Sequence, residues 1–117
     1  MNHIALGEKG EAAVVEYLRR HGYAVLQQKY RARTGEIDII AKKDGVLVFV
    51  EVKTRRSTRY GLPAEAVTYR KQQKIIQTAL CYLAQTQQPD VPCRIDVIEV
   101  YEADGRINHL VNAFGRQ

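Results

Sequence analysis

Hydrophobic positions follow two rhythms along the chain. From about Gly7 to His21 they recur at helical spacing, with Val15 and Leu18 on one stripe, Ala12 nearby and Gly22 as a stop signal. Glu11 falls on that same stripe and Glu8 at its edge. Tyr23-Ala24-Val25-Leu26 reads as a short extended segment, and a basic loop with Lys29, Arg31 and Arg33 leads to Gly35. Two strands are then predicted, Glu36 to about Lys42 and about Val46 to Lys53, joined at Asp44-Gly45, a strong short-range hairpin signal. A second loop, Thr54 to Pro63, carries Arg55, Arg56 and Arg59. The segment from Ala64 to about Gln85 is mainly helical, with an interruption near Thr68 and an apolar face of Ile75, Ile76, Ala79, Leu80 and Leu83. Arg94 to Tyr101 is an apolar-rich strand, and Asp104-Gly105 turns into Arg106 to Val111. The order α-β-β-β-α-β-β predicts an α/β fold, a central mixed sheet flanked by helices with an antiparallel component.

The hairpin brings unlike residues together. With Asp44 and Gly45 as the loop, Lys43 pairs with Val46, Asp38 lies directly opposite Glu51, and Glu36 lies opposite Lys53. One face then carries Ile37, Ile39 and Ala41 against Val46, Val48, Val50 and Val52, and must face a core. The other carries Ile40 and Phe49 near the turn, then Asp38, Glu51, Lys53 and Glu36 at the open end. Directly opposed carboxylates repel each other. A bridging divalent cation removes that repulsion, and hard carboxylate oxygens suit Mg²⁺ or Mn²⁺. Such an ion activates water and stabilises charge on a phosphate, while a neighbouring lysine orients water or neutralises developing charge. Glu11, on the core-facing stripe of the first helix, is placed to add a third carboxylate.

Composition enters where it changes this picture. The chain has 117 residues, 45% of them hydrophobic and 26% charged, the profile of one ordinary globular domain spanning residues 1–117. No stretch approaches the roughly 18 apolar residues of a membrane span, and the N-terminus lacks a secretion signal. Cys81 and Cys93 match no zinc or redox spacing, so a cytoplasmic protein with reduced thiols is expected. Eighteen Lys and Arg against 13 Asp and Glu give a net charge of +5. Residues 29 to 74 hold 12 basic and five acidic side chains, a net of +7, and the remainder holds six basic and eight acidic, a net of −2. The excess positive charge therefore surrounds the carboxylates, which points to a polyanionic partner. The arginine loops and Lys71 and Lys74 are candidate phosphate contacts, of the sequence-independent, salt-sensitive kind. No helix-turn-helix or zinc-finger pattern argues for base-specific reading.

Plainer readings stand beside these. Asp38 and Glu51 also suit a solvent-facing sheet surface, Lys53 an edge charge paired with Glu36, Glu11 the polar flank of its helix, and the arginines a solvated loop. The three histidines, His3, His21 and His109, are scattered and suggest no catalytic grouping.

Gly35-Glu36-Ile37-Asp38 followed by Glu51-Val52-Lys53 resembles the D…ExK core of the PD-(D/E)xK nuclease superfamily. The wider pattern is more specific. It comprises Gly10-Glu11, Tyr17-Leu18, Gly22-Tyr23, Gly35 to Ala41, and Val48 to Lys53 with Arg55. Gly61-x-Pro63-Ala64-x-Ala66-Val67, Lys71 and Ala79-x-x-Tyr82-Leu83 continue it. Together these resemble the YraN-like family of small bacterial proteins over about Gly7 to Val100.

That family is similar in fold to archaeal Holliday-junction resolvases and restriction endonucleases. The resemblance implies a restriction-endonuclease-like mixed sheet flanked by helices, with Asp38, Glu51 and Glu11 as ligands of Mg²⁺ or Mn²⁺ and Lys53 as the catalytic lysine. Lys71 matches a basic position on the helix after the core, suited to phosphate contact, and Asp96 fits an Arg-x-Asp-Val strand without an assigned role. Ile37 stands where the superfamily's proline precedes the aspartate. The expectation is a metal-dependent endonuclease acting on nucleic acid, DNA by analogy with the resolvases. The alternatives are a non-catalytic nucleic-acid-binding or assembly module that keeps the fold, and a basic surface that docks an acidic protein. A homodimer is an open alternative to a monomer.

Overall fold

A computed structural model describes residues 3–55 and 67–115, with side chains from Gly7 onward. The elements are α1 (His3–Arg20), β1 (Ala24–Ala32), β2 (Gly35–Lys43), β3 (Val46–Arg55), α2 (Tyr69–Gln85), β4 (Cys93–Tyr101) and β5 (Ile107–Phe114). The strands form one sheet in the order β1-β2-β3-β4-β5. Every neighbouring pair is antiparallel except β3 and β4, which are parallel. A parallel pair needs a crossover, and α2 belongs to it. The expected α/β architecture with a mixed sheet and flanking helices is therefore present.

One helix covers each face. On one side Val14, Val15 and Leu18 of α1 meet Ile39, Ala41, Val48, Val50, Ile98 and Val100. On the other, Ile75, Ile76, Ala79, Tyr82 and Leu83 of α2 meet Tyr30, Ile37, Ile40, Leu47, Phe49, Ile95 and Val97. Burying side chains of this size contributes about 1.5–3 kcal/mol each, so the two layers stabilise β2, β3 and β4 between them.

Several expectations need correction. The first helix begins at His3, and its buried stripe includes Val14, whereas Ala12 is exposed. Leu80 lies off the buried face of α2, where Thr78 and Tyr82 are buried instead. The basic segment after Leu26 is not a loop: Lys29 and Arg31 lie within β1, a nine-residue edge strand in which Tyr30 alone is buried. An edge strand takes its order from backbone pairing, so it need not carry an apolar alternation. Likewise Thr54 and Arg55 extend β3 rather than opening a loop. Thr68, where the helical pattern falters, is the N-cap of α2 and accepts a hydrogen bond from the Lys71 N–H at 3.2 Å. The predicted helical residues Ala64 to Ala66 lie outside the described residues.

The turn between β2 and β3 is the expected one. Asp44 and Gly45 both have positive φ, 51° and 79°, the conformation of the tight hairpin turn that matches strand twist. It sets the register of everything that follows toward the open end.

Candidate active site

The β2–β3 ladder runs from Lys43–Val46 to Ile39–Val50 and ends there. The register is the expected one, and the next step would set Asp38 opposite Glu51. Instead the Val52 N–H donates to Asp38 Oδ2 at 2.8 Å. The two acids are thus neighbours across a parting of the strands, not the directly opposed ladder pair expected. Like charges disfavour that pair, and the Asp38 carboxylate supplies the acceptor that the ladder gives up. Asp38 has no ladder partner on the β1 side either, where the pairs Gln28–Ile39 and Tyr30–Ile37 flank it. Across from it, Lys29 has a φ of 54°. The strand's alternation changes at the same point: Ile37 joins the α2 layer while Ile39 joins the α1 layer, correcting the expected shared face.

Around Asp38 the charges converge from four elements. Glu51 of β3 and Glu11 of α1 are both buried. Burial, then the Glu51 charge, with smaller contributions from Glu11 and Glu36, push the Asp38 carboxyl up to about 7 against the opposing Val52 hydrogen bond. Glu51 Oε1 lies 3.4 Å from Lys71 Nζ, and Glu11 Oε2 lies 3.4 Å from Lys29 Nζ. Lys53 is pushed below the ordinary lysine value by burial and then by its contact with Lys71. Lys71 is raised, because its contact with Lys53 and the Glu51 and Asp38 charges outweigh its own burial.

Two cavities open on either side of Asp38. One, of about 480 Å³, is lined by Asp38, Glu51, Arg70, Lys71 and Lys74 among others. The second, of about 470 Å³, is lined by Asp38, Glu11, Lys29, Arg31 and Lys53 among others. Asp38 forms part of the wall of both. Gly35, with φ of 150°, lets the start of β2 run close to α2: a Cβ there would stand 3.4 Å from Thr78 Oγ1.

The donor set is one that a hard divalent cation accepts: carboxylate oxygens, in excess, in a partly buried place. Among the described residues, however, no three His, Cys, Asp or Glu side chains stand close enough together to hold a metal ion as placed.

The remaining predicted residues divide. Lys71 and Lys74 line the first cavity and Arg31 the second. Arg31 donates from Nε to Glu36 Oε2 at 2.6 Å, so Glu36 is paired with Arg31 and not with Lys53. Arg33 is exposed in the turn between β1 and β2. Arg55 donates from Nε to Glu99 Oε2 at 2.8 Å, and Glu99, wholly buried, also accepts from the Tyr101 hydroxyl at 2.7 Å. Arg55 therefore neutralises an interior carboxylate. Arg56 and Arg59 lie outside the described residues. Sequence reasoning misses Arg70 and the pairing of Lys29 with Glu11. The i, i+4 spacing of Arg70 and Lys74 is the signal that could have found the former.

Asp96 belongs to a separate network. Its carboxylate accepts from Arg94 Nε at 3.1 Å, from the Asn112 N–H at 2.9 Å, and from His109 Nε2 at 2.7 Å. With Nε2 carrying the proton, His109 Nδ1 accepts from the Tyr17 hydroxyl, 2.9 Å away. These bonds tie α1 and the irregular edge strand β5 to β4, where the ladder shifts between Ile95 and Val97. His109 is thus a structural link, and His109 and Asp96 line neither cavity beside Asp38.

The fold and these residues define a small α/β protein whose central hairpin parts at an aspartate, with Glu11, Glu51, Lys29, Lys53 and Lys71 gathered around it. The chain belongs to the uncharacterised protein family UPF0102, the YraN-like family, whose model matches residues 10–100. A UPF0102 protein of Symbiobacterium thermophilum is 52% identical over 93% of this chain and 95% of its own length. One of Clostridioides difficile is 45% identical over 97% of this chain and 100% of its own. Among solved structures, a chain of the EndoMS-dsDNA2 complex overlays 74% of this chain at 20% identity with a TM-score of 0.45, and this chain spans 34% of that one. Among the described residues no helix is long and apolar enough to cross a membrane.

Proposed function

We propose that this protein is a metal-dependent endonuclease-like enzyme that hydrolyses phosphodiester bonds in nucleic acid. The observation that carries the reading is Asp38: a partly buried carboxyl, pushed up to about 7 by burial and by Glu51, on a wall shared by two cavities. Keeping a carboxylate ionised in such a place costs stability, which a bound cation would offset, and such perturbed groups cluster at functional sites. Asp38 and Glu51, with Glu11 beside them, are the residues that would hold Mg²⁺ or Mn²⁺. When bound, such an ion lowers the pKa of water and stabilises charge on the phosphate.

The chain's own groups supply the rest. Lys53, lowered by burial and by Lys71, is closer to exchanging a proton at ordinary pH than a free lysine, which suits orienting a water or receiving its proton. Lys71, Lys74 and Arg70, which line one cavity, and Arg31, which lines the other, would engage phosphates beside Asp38. Arg33, Arg56 and Arg59 would extend that contact, while the Arg55 Nε is already engaged by Glu99. Contacts of this kind do not read sequence, so selection by nucleic-acid structure fits better than selection by base.

The test is cleavage of branched, duplex and single-stranded DNA and of RNA, with Mg²⁺ or Mn²⁺, by the wild type and by Asp38→Ala. Cutting that depends on the cation and vanishes in Asp38→Ala is the expected result. Cutting that survives Asp38→Ala refutes this site. Salt-sensitive binding with no cutting by either protein favours the non-catalytic binding module, a reading that the lysine-paired Glu51 and Glu11 keep in view.

A further inference from the structure

Glu51 is 7% exposed, and its partner Lys71 reaches it from the first turn of α2. The Lys71 side chain is 45% exposed and lines the same cavity as Arg70 and Lys74. Its ammonium therefore stands between a buried carboxylate and a basic cavity open to solvent. No ion pair joins Arg70 or Lys74 to a carboxylate among the described residues. Of the three bases, Lys71 is the one paired with Glu51.

We propose that Lys71 competes with the divalent cation for Glu51, and that a substrate phosphate entering this cavity relieves the competition. The inference rests on the reading of Asp38 and Glu51 as cation ligands. An ammonium and a divalent cation repel each other and draw on the same buried carboxylate, so each weakens the other's hold on Glu51. A phosphate offers Lys71 a second partner on the solvent side, beside Arg70 and Lys74. Cation and phosphate then bind cooperatively, and by linkage each raises the affinity of the other to the same degree. The consequence is a site that takes up its cation most tightly when nucleic acid is present.

The test is Mn²⁺ binding by electron paramagnetic resonance, with cleavage not measured. With Mn²⁺ alone, Lys71→Gln is expected to bind roughly five-fold more tightly than the wild type, the effect of removing a modest ion pair. Lys71→Arg is expected to stay near the wild type. Lys74→Gln removes one charge from the same cavity without freeing Glu51, and should change affinity less. A cleavage-resistant phosphorothioate oligonucleotide should raise Mn²⁺ affinity by a larger factor in the wild type than in Lys71→Gln. Equal or weaker Mn²⁺ binding by Lys71→Gln, with its thermal melt intact, overturns the inference, as does an equal oligonucleotide effect in both proteins. Binding by the wild type that Asp38→Asn abolishes keeps the reading of the site whatever Lys71 does. If neither the wild type nor Lys71→Gln binds Mn²⁺, that reading falls and the inference falls with it.

Discussion

Asp38 is costly to keep ionised, and the cost has a sign that can be measured. Its folded-state pKa, about 7, lies above the ordinary carboxyl value, so the folded protein holds that proton more tightly than the unfolded chain does. Its contribution to stability is therefore largest at acid pH, falls as pH rises from about 4 to about 7, and is flat beyond. Asp38→Asn keeps an acceptor for the Val52 N–H and removes the charge. It is expected to raise stability at pH 8 by about 1–4 kcal/mol and to flatten that decline, which denaturant titration across pH reads directly. Lys53 answers to a different measurement. Lys53→Met should lower the cleavage rate by roughly 10²-fold or more while leaving nucleic-acid affinity within a few-fold, because its proposed task lies in the chemical step. An affinity loss that matches the rate loss would make it a binding residue instead.

At the scale of elements, the site depends on how closely α1 lies on β3. A Cβ at Gly10 would stand 2.3 Å from Thr54 Oγ1, so any larger residue there requires the Thr54 hydroxyl to move. Glu11 is the next residue, and its carboxylate is placed by that close approach. Gly10→Val is expected to cost about 1–3 kcal/mol of stability, more than the few tenths gained in helix propensity, and to weaken Mn²⁺ binding by displacing Glu11. Unchanged stability in chemical denaturation would show that Thr54 turns aside freely. The sequence announces these elements unevenly. Asp44-Gly45 sets the hairpin register because a tight turn with two positive φ values is written in two residues. Only the start of β1 shows itself, as Tyr23 to Leu26, because the rest of an edge strand with one buried side chain carries no alternation to read. The parting at Asp38 is also hidden: the register predicts a pair, and only the Val52 hydrogen bond and the Lys29 kink reveal that the ladder stops short.

For the whole molecule, six of the described bases in the +7 segment, Lys29, Arg31, Lys53, Arg70, Lys71 and Lys74, line the two cavities beside Asp38. Arg31, Lys71 and Lys74 come from β1 and α2, yet open onto one aspartate from both sides. Nucleic-acid affinity should fall with salt, and the log–log slope should drop by about one for each phosphate that Lys74→Gln or Arg31→Gln leaves unneutralised. Slopes that do not change would place the polyanion elsewhere. Composition shows the charge, and motif spacing shows Asp38, Glu51 and Lys53. The Asp96–His109–Tyr17 chain is illegible in the sequence because its members come together only when β5 and α1 meet β4, with Tyr17 and His109 separated by 92 positions.

The proposed chemistry turns on whether the parted hairpin holds a divalent cation. Anomalous diffraction from crystals soaked in Mn²⁺ tests this most directly. A peak within coordination reach, about 2.0–2.2 Å, of carboxylate oxygens of both Asp38 and Glu51 is the predicted result. Mn²⁺ bound at other residues, with none touching Asp38 or Glu51 at saturating concentration, would contradict it.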